Sequence, residues 1–244
     1  MKTVVVFKWL RNPEDARVGS DGSVDWRAAK MAVSDDDPAA AAVANAIAAA
    51  GGECVGLTLG DGDASWAAAR GASSTVVVTD AATSANSAAT AAILAAGVRS
   101  IGGVDVVLIG DSAWDRGVPV ALAGQLGWAA LADVESAAVA GDRLRVTRKF
   151  GDGTQVVDVA RPVVLAVAAS RAEQHAPGMK EILAARKKPV TKVTMTELGV
   201  EPDTAVKWRG TKFPDTTKAR VIDGADPVAA AVQLVAALRS EGAL

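Results

Sequence analysis

The sequence predicts an α/β fold: a mostly parallel, doubly wound sheet with a β-hairpin insertion and an extended C-terminal arm that ends in a helix. Three observations predict it. Apolar runs alternate with alanine-rich stretches over the first half of the chain, a hairpin signature follows them, and a long charged stretch precedes a final amphipathic segment. We therefore expect an α/β domain over residues 1–188 and the arm over residues 189–244.

The first half of the chain contains four runs that predict strands buried on both faces, because apolar residues follow one another without polar alternation. They lie at residues 3–7, 53–59, 75–79 and 104–109. Alanine-rich stretches between and after them predict helices, several of which end near glycines. These stretches lie at residues 38–50, 64–70, 86–99 and 118–126. Strand and helix repeated in this order favour a parallel sheet with helices on both faces.

The pattern changes after residue 140. Two strand-like runs flank the turn-forming triplet Gly151, Asp152 and Gly153, which predicts a β-hairpin, and a further strand is predicted after it. A basic helical segment follows at residues 177–188. The three predicted strands of this part lie at residues 144–150, 155–160 and 163–167.

The C-terminal part is patterned poorly until its end. Between residues 189 and 226 charged and turn-forming residues predominate, and no core element is predicted there. We expect such a long stretch to lie along another surface or to be mobile. Residues 227–239 predict an amphipathic helix, for which Asp226 is a suitable N-cap.

Composition excludes several classes of protein. The 244-residue chain carries 26 Lys and Arg against 28 Asp and Glu, so its net charge of −2 gives no general attraction to nucleic acid. A single Cys cannot form an internal disulfide, and one Cys with one His cannot supply a zinc site. A Ser–His–Asp or Cys–His enzyme would depend on His175 alone. The sequence shows no signal peptide and no apolar stretch of membrane-spanning length. We therefore expect a cytoplasmic protein that does not span a membrane.

Parallel sheets bind ligands at the carboxyl ends of their strands, and three segments are candidates. Lys8 and Trp9 follow the first predicted strand, residues 34–37 precede the first clear helix, and residues 110–117 lead into another helix. A glycine-flanked loop at a helix N-terminus offers free amides and the positive end of the helix dipole to a phosphate. Neither a G-x-G-x-x-G motif nor a P-loop is present, and an ordinary βα loop explains residues 110–117 equally well.

Asp35, Asp36 and Asp37 admit a metal-binding or acid–base interpretation, but three consecutive carboxylates cannot all face one ion. We expect solvated charges that the helix dipole favours, with Asp37 as the N-cap and Pro38 at the first helical position. Because their negative charge would oppose a phosphate, a ligand here is expected to present its base or sugar.

The remaining unusual side chains favour structural roles or stay open. His175 lies in a polar stretch and is predicted to be a surface residue of a binding loop, whereas Cys54 is predicted to be a small buried residue of a strand. Trp9, Trp66 and Trp114 each follow a predicted strand. They either line one crevice and stack on a planar ring, or fill volume that alanine leaves empty.

Four segments carry a resemblance to a known family. Residues 4–8 and 21–25 look like an opening strand with its lysine and an acidic-glycine turn, and residues 34–46 look like a nucleotide-contacting helix entrance. Residues 146–164 are close to a signature pattern, and residues 177–190 look like a loop that meets redox partners. Over nearly its whole length, the chain resembles the β subunit of electron transfer flavoproteins, most closely the Fix-type branch.

The resemblance implies an electron carrier without catalytic side chains. It implies a heterodimer with an α subunit that holds the redox-active FAD, which this chain helps to cover, and a C-terminal arm that wraps that subunit. It also implies docking to a partner dehydrogenase, and AMP or a second FAD in the crevice of this chain. The crevice residues that correspond by position are Val6, Ser34, Asp35, Asp36, Asp37, Leu59, Ala113, Asp115, Arg116, Gly117, Val118 and Val120. The residues of the docking segment are Met179, Ile182 and Leu183.

The chain also departs from the family pattern. Gly151 stands where the signature usually has an acidic residue, and the phosphate loop is shorter than usual and contains Pro119, which has no amide to donate. With Asp35 and Asp36 beside it, we expect a crevice of reduced or altered nucleotide affinity, or an empty one, with subunit pairing retained. The alternative is an adenine-nucleotide-binding α/β protein, a hydrolase or a sensor, without a redox role. A hydrolase would need a phosphate-gripping lysine or clustered metal ligands, which residues 110–120 do not supply.

Overall fold

The fold is taken from a computed structural model that describes residues 1–60, 62–81, 86–168, 176–201, 206, 209–214 and 221–244. The strands in chain order are β1 (Lys2–Val6), β2 (Leu10–Arg11), β3 (Arg17–Val18), β4 (Val24–Asp25), β5 (Met31–Ala32), β6 (Glu53–Leu59), β7 (Ser74–Val78), β8 (Val106–Gly110), β9 (Ala129–Ala140), β10 (Arg143–Phe150), β11 (Gly153–Val159), β12 (Val163–Val167) and β13 (Val190–Val193). The α-helices are α1 (Asp36–Ala48), α2 (Ser65–Ala69), α3 (Ser87–Ile101), α4 (Gly117–Leu126), α5 (Met179–Ala185) and α6 (Pro227–Ser240).

Nine of the described strands form one sheet in the order β11-β10-β9-β12-β8-β1-β6-β7-β13. The seven strands from β9 to β13 in that order are parallel, whereas β9, β10 and β11 pair antiparallel at one end. The predicted fold class, a mostly parallel sheet with a hairpin insertion and a C-terminal helix, is confirmed.

The sheet has an apolar core on each face, which explains why its central strands contain few polar residues. Val5 and Phe7 face the core under α1 and α2, whereas Val4 and Val6 face the core under α3 and α4. Alanines let these helices lie close to the sheet. At Gly56 of β6 the approach is close, since a Cβ there would lie 2.8 Å from the Cβ of Ala67.

Two sequence predictions about strands fail in informative ways. The long strand β9 was missed because six of its twelve residues are alanine and its side chains lack the unbroken apolar pattern of the central strands. The expectation of no core element between residues 189 and 226 is wrong at β13, which pairs with β7 along the sheet edge. Three of the four β13 residues are exposed, so its sequence shows no burial pattern.

The chain divides into two compact units, residues 1–17 with 25–209 and residues 18–24 with 210–244. The first contains the sheet. In the second, Gly22 has a left-handed φ of 79° and lies against the backbone of Lys212 and Phe213, where a Cβ would overlap. Asp226 caps α6 by accepting from the amides of Val228 and Ala229, as predicted. Among the described helices, none is long and apolar enough to cross a lipid bilayer.

Candidate functional site

The candidate site lies where the strand order of the sheet reverses. The chain runs from β1 outward to β6 and β7, then returns to the other side of β1 to form β8. The loops that leave the carboxyl ends of β1 and β8 therefore diverge, and such a switch point leaves a crevice in which α/β proteins bind ligands. Residues 7–9 follow β1, residues 111–116 join β8 to α4, and residues 33–35 lead into α1.

A buried ion pair joins the two sides of this switch point. The Lys8 ammonium lies 2.6 Å from an Asp115 carboxylate oxygen, and the two side chains are 1% and 7% exposed. A pair so well shielded from water is only weakly screened by salt, and removing one partner leaves the other as an uncompensated buried charge. Lys8 and Asp115 are thus coupled to each other far more strongly than a surface pair would be.

Asp37 completes a cluster of three buried charges. Its Oδ2 accepts hydrogen bonds from the backbone amides of Ser34, at 3.1 Å, and Lys8, at 3.5 Å. Burial raises the pKa of this carboxyl to about 6, although the positive charge of Lys8 and the two amides act in the opposite direction. The negative charge of Asp115 adds to the rise.

The structure corrects the sequence interpretation of the three aspartates. Asp37 was predicted to be a solvated N-cap, but it is fully buried at the second position of α1, and Pro38 is at the third position rather than the first. Asp35 occupies the N-cap position and is exposed, and Asp36 is half-buried. Asp37 turns inward because the amides of Ser34 and Lys8 supply the hydrogen bonds that water would otherwise give.

The loop from Asp111 to Arg116 is fixed at several points. The Asp111 amide donates to the carbonyl of Val167 on β12, and its carboxylate accepts from the amide of Asp133. Within the loop, the Trp114 amide donates to the Ser112 hydroxyl at 3.1 Å. The ion pair with Lys8 then anchors the middle of the loop at Asp115.

Comparison with known proteins adds the decisive observation: a family model of the electron transfer flavoprotein domain matches residues 24–198, most of the chain. The chain belongs to the electron transfer flavoprotein family. Proteins named electron transfer flavoprotein subunit beta are 31% identical to it over 113 residues in Mycobacterium tuberculosis (strain ATCC 25618 / H37Rv), covering 45% of this chain and 42% of that protein. In Syntrophomonas wolfei subsp. wolfei the identity is 33% over 123 residues, covering 46% and 48%. The chain thus spans less than half the length of the curated relatives it matches.

These matches confirm the resemblance to electron transfer flavoprotein β subunits, while the Fix-type branch stays a prediction. The match includes α1, the loop between β8 and α4, and the hairpin. It also covers the whole segment that resembles the redox-partner loop.

The predicted crevice residues of this chain fall into two groups. Val6, Leu59 and Val118 are buried in the core under α3 and α4, so only their backbone could meet a ligand. Ser34 is also buried, whereas the loop that contains Asp115 and the first turn of α4 offer exposed positions. These exposed positions are Ala113, Arg116, Gly117 and Val120.

The sequence placed Lys8 in a candidate segment without a specific role, and the structure places it at the centre of the charge cluster. The sequence feature that points to Lys8 is its position directly after an apolar strand, at the carboxyl end of a parallel sheet. Gly110 is a second missed residue, because a Cβ there would lie 2.7 Å from Asp37 Oδ1. Only glycine lets the end of β8 approach the first turn of α1 so closely.

The three tryptophans do not share one role. Trp66 is buried in the core and stacks on Phe7 with a ring-centroid distance of 5.0 Å, while the Arg70 guanidinium lies 4.0 Å above its ring. The volume-filling interpretation therefore holds for Trp66. Trp9 is half-buried against the same core, and Trp114 is half-buried in the loop after β8.

The predicted role of Cys54 as a small buried residue is confirmed. Cys54 is buried in β6, and burial raises the pKa of its thiol. His175 lies outside the described residues. Within the described part of the chain, His, Cys, Asp and Glu do not assemble into a group of three or more that could hold a metal ion.

The predicted docking segment forms the helix α5, shorter than the expected 177–188. Met179 and Leu183, one helical turn apart, are 72% and 52% exposed, and Ile182 is half-buried. The Lys188 ammonium donates to the carbonyls of Ala68 and Ala72, which ties the end of this segment to α2. Beside α5 a mostly apolar groove of about 890 Å³ lies against α1 and α2.

Proposed function

We propose that this chain is the β subunit of a heterodimeric electron transfer flavoprotein. It pairs with an α subunit, helps to enclose the FAD held there, and serves electron transfer from a partner dehydrogenase to a downstream acceptor. The family match across residues 24–198, together with relatives named as β subunits, is the observation that carries the proposal. Such a subunit contributes binding and orientation, because the redox chemistry belongs to the flavin.

The apolar surface of α6 supports pairing with an α subunit. Val228, Val232 and Val235 are exposed at spacings of four and three residues, so they lie along one side of the helix. No residue of α6 is buried within the chain. An exposed apolar stripe of this kind is stabilised when a partner covers it.

The exposed apolar side chains of α5 support docking to a dehydrogenase. Met179 and Leu183 project from a short helix whose N-terminus is closed by a hydrogen bond from the Gly178 amide to Glu181 Oε2, at 2.7 Å. Flexible, polarizable methionine side chains suit a surface that must fit another protein's pocket. We assign Met179, Ile182 and Leu183 to this contact.

The charges at the switch point suit an adenine nucleotide in one orientation. The start of α4 presents a helix N-terminus with Arg116 and Gly117 exposed, which favours a phosphate. The start of α1 presents Asp35 and Asp36, which favour hydroxyl or amino donors of a sugar or base. These charges support the proposal that the crevice binds AMP, or the adenosine diphosphate part of a second FAD, with an affinity reduced by Pro119 and the nearby carboxylates.

Co-expression of the full chain with an α-subunit candidate from the same genome tests the proposal. We expect a yellow heterodimer that survives gel filtration, with an absorption spectrum of bound flavin. Acid release and chromatography would then give one FAD, with or without AMP, or two FAD per heterodimer. A colourless chain that never associates with the candidate, or that hydrolyses adenine nucleotides by itself, would contradict it.

A further inference from the structure

We propose that the buried Lys8–Asp115 ion pair is a positioning clamp, which holds the loop between β8 and α4 against the end of β1 and so shapes the crevice. The inference rests on the proposed function only in taking a nucleotide as the crevice's ligand. Lys8 and Asp115 are positioning residues here: they act through the loop and not by touching the nucleotide.

Lys8 is the residue that connects the three segments of the switch point. Its backbone continues β1, its amide donates to the Asp37 carboxylate at the start of α1, and its ammonium reaches Asp115 in the middle of the loop. One side chain and one amide thus link a strand end, a helix start and a loop that are far apart in sequence. At 2.6 Å, the Lys8 Nζ and the Asp115 Oδ2 are in direct contact.

The loop's other bonds do not replace this connection. The Trp114 amide bonds to Ser112 and the Val118 amide to the Asp115 carbonyl, so these bonds fix the shape of the loop but not its place on the sheet. The bonds of Asp111 to β12 and β9 hold only the beginning of the loop. The Asp115 carboxylate is what holds its middle to β1.

Displacing Asp115 would move the phosphate-facing end of the crevice directly. Arg116 and Gly117 follow Asp115 in sequence and are exposed at the start of α4. Because an outward movement of the loop would break the 2.6 Å contact between the Lys8 ammonium and the Asp115 carboxylate, the pair favours one discrete loop position. Preorganisation of this kind raises ligand affinity by lowering the cost of ordering the loop on binding.

The double variant K8M/D115N in the full chain tests the clamp. It removes both charges of the pair together while keeping side chains of similar size, so neither of these two charges is left buried without the other, and the Lys8 amide still donates to Asp37. The matched control is R145M/D158N, which applies the same kinds of change to an exposed ion pair on the hairpin between β10 and β11. Amide hydrogen exchange in residues 111–117 is measured without ligand, and AMP affinity is measured by titration calorimetry.

We expect the melting temperature of K8M/D115N to lie within about 5 °C of that of the unsubstituted chain. Its loop amides should exchange hydrogen roughly tenfold faster, and its affinity for AMP should be roughly tenfold weaker. The control should change none of these. Loop exchange at the original rate, or faster exchange with unchanged AMP affinity, would overturn the clamp. If the unsubstituted chain itself fails to bind AMP, the nucleotide part of the proposed function fails instead, and the exchange rates still decide whether the pair holds the loop.

Discussion

The three buried charges at the switch point are not balanced. With Lys8, Asp37 and Asp115 all ionised, the cluster carries one net negative charge in a place that water barely reaches. Protonation of Asp37 makes the cluster neutral. Burial is the main reason that the pKa of the Asp37 carboxyl lies near 6; the negative charge of Asp115 adds to the rise, and the positive charge of Lys8 opposes it.

Asp37 therefore makes the stability of the chain depend on pH. Its pKa is raised from 3.8 to about 6 on folding, so its contribution is fully present below about pH 4 and is lost as pH rises through 6. The loss amounts to at most about 3 kcal/mol. D37N keeps an acceptor for the amides of Ser34 and Lys8 without the charge. We expect the free energy of unfolding of D37N, relative to the unsubstituted chain, to increase between pH 4 and pH 7 in denaturant titrations.

The substitution D35N is the control, because it removes an exposed carboxylate only two residues before Asp37. Its free energy of unfolding should follow that of the unsubstituted chain across the same pH range. Parallel curves for D37N as well would show that the Asp37 carboxyl is not held in an environment that disfavours its charge.

Single residues also mark where prediction from sequence ends. The three consecutive aspartates are identical in type, and helix-start preferences alone made Asp37 a solvated cap. The inward turn of Asp37 depends on the amide of Lys8, which is 29 residues earlier in the chain. A contact at that separation leaves no periodic trace in the sequence, so only its partner, a lysine after a buried strand, could have suggested it.

At the scale of elements, the sheet was predicted where burial on both faces leaves an unbroken apolar run. β1, β6, β7, β8 and β12 all satisfy this condition and lie within two residues of the expected positions. β9 and β13 do not, because β9 is rich in alanine and β13 is a mostly exposed edge strand. These two segments form strands because they pair with neighbours, β9 with β12 and β10, and β13 with β7, rather than because of their own side chains.

The packing of β8 against α1 gives a prediction at this scale. G110A would place a Cβ 2.7 Å from Asp37 Oδ1 and 3.0 Å from the Asp37 amide nitrogen, which belongs to the backbone and cannot simply rotate away. We expect the free energy of unfolding to fall by about 1–3 kcal/mol. Denaturant titration measures the loss.

The control is G124A on α4, where a Cβ would meet nothing within 4 Å. Alanine is the better helix former, so this variant should be more stable by about 0.5–1 kcal/mol. An equal gain in G110A would mean that β8 and α1 do not approach each other as closely as the structure shows.

At the scale of the molecule, the sequence predicts an α/β domain over residues 1–188 and an arm over residues 189–244. The compact units divide after Arg209, and the second unit recruits residues 18–24 from the N-terminal part. The exposure of α6 is the consequence that matters for function, because none of its residues is buried in the chain. Its alternation of apolar and polar positions is fully visible in the sequence, whereas what covers the apolar side is not encoded in this chain alone.

Substitution on α6 therefore separates assembly from folding. Val232 is 65% exposed, so V232D should leave the melting temperature of the isolated chain within about 3 °C of the original. In the proposed heterodimer the same change would place a charge against an apolar contact, and we expect the dissociation constant for the α subunit to rise by roughly tenfold or more. The adjacent substitution Q233D, on a different side of the helix, introduces the same charge and should leave assembly unchanged. If V232D and Q233D weaken assembly equally, or neither does, then the valine stripe of α6 is not the surface that binds the α subunit, and the partner contact must be sought elsewhere on the chain.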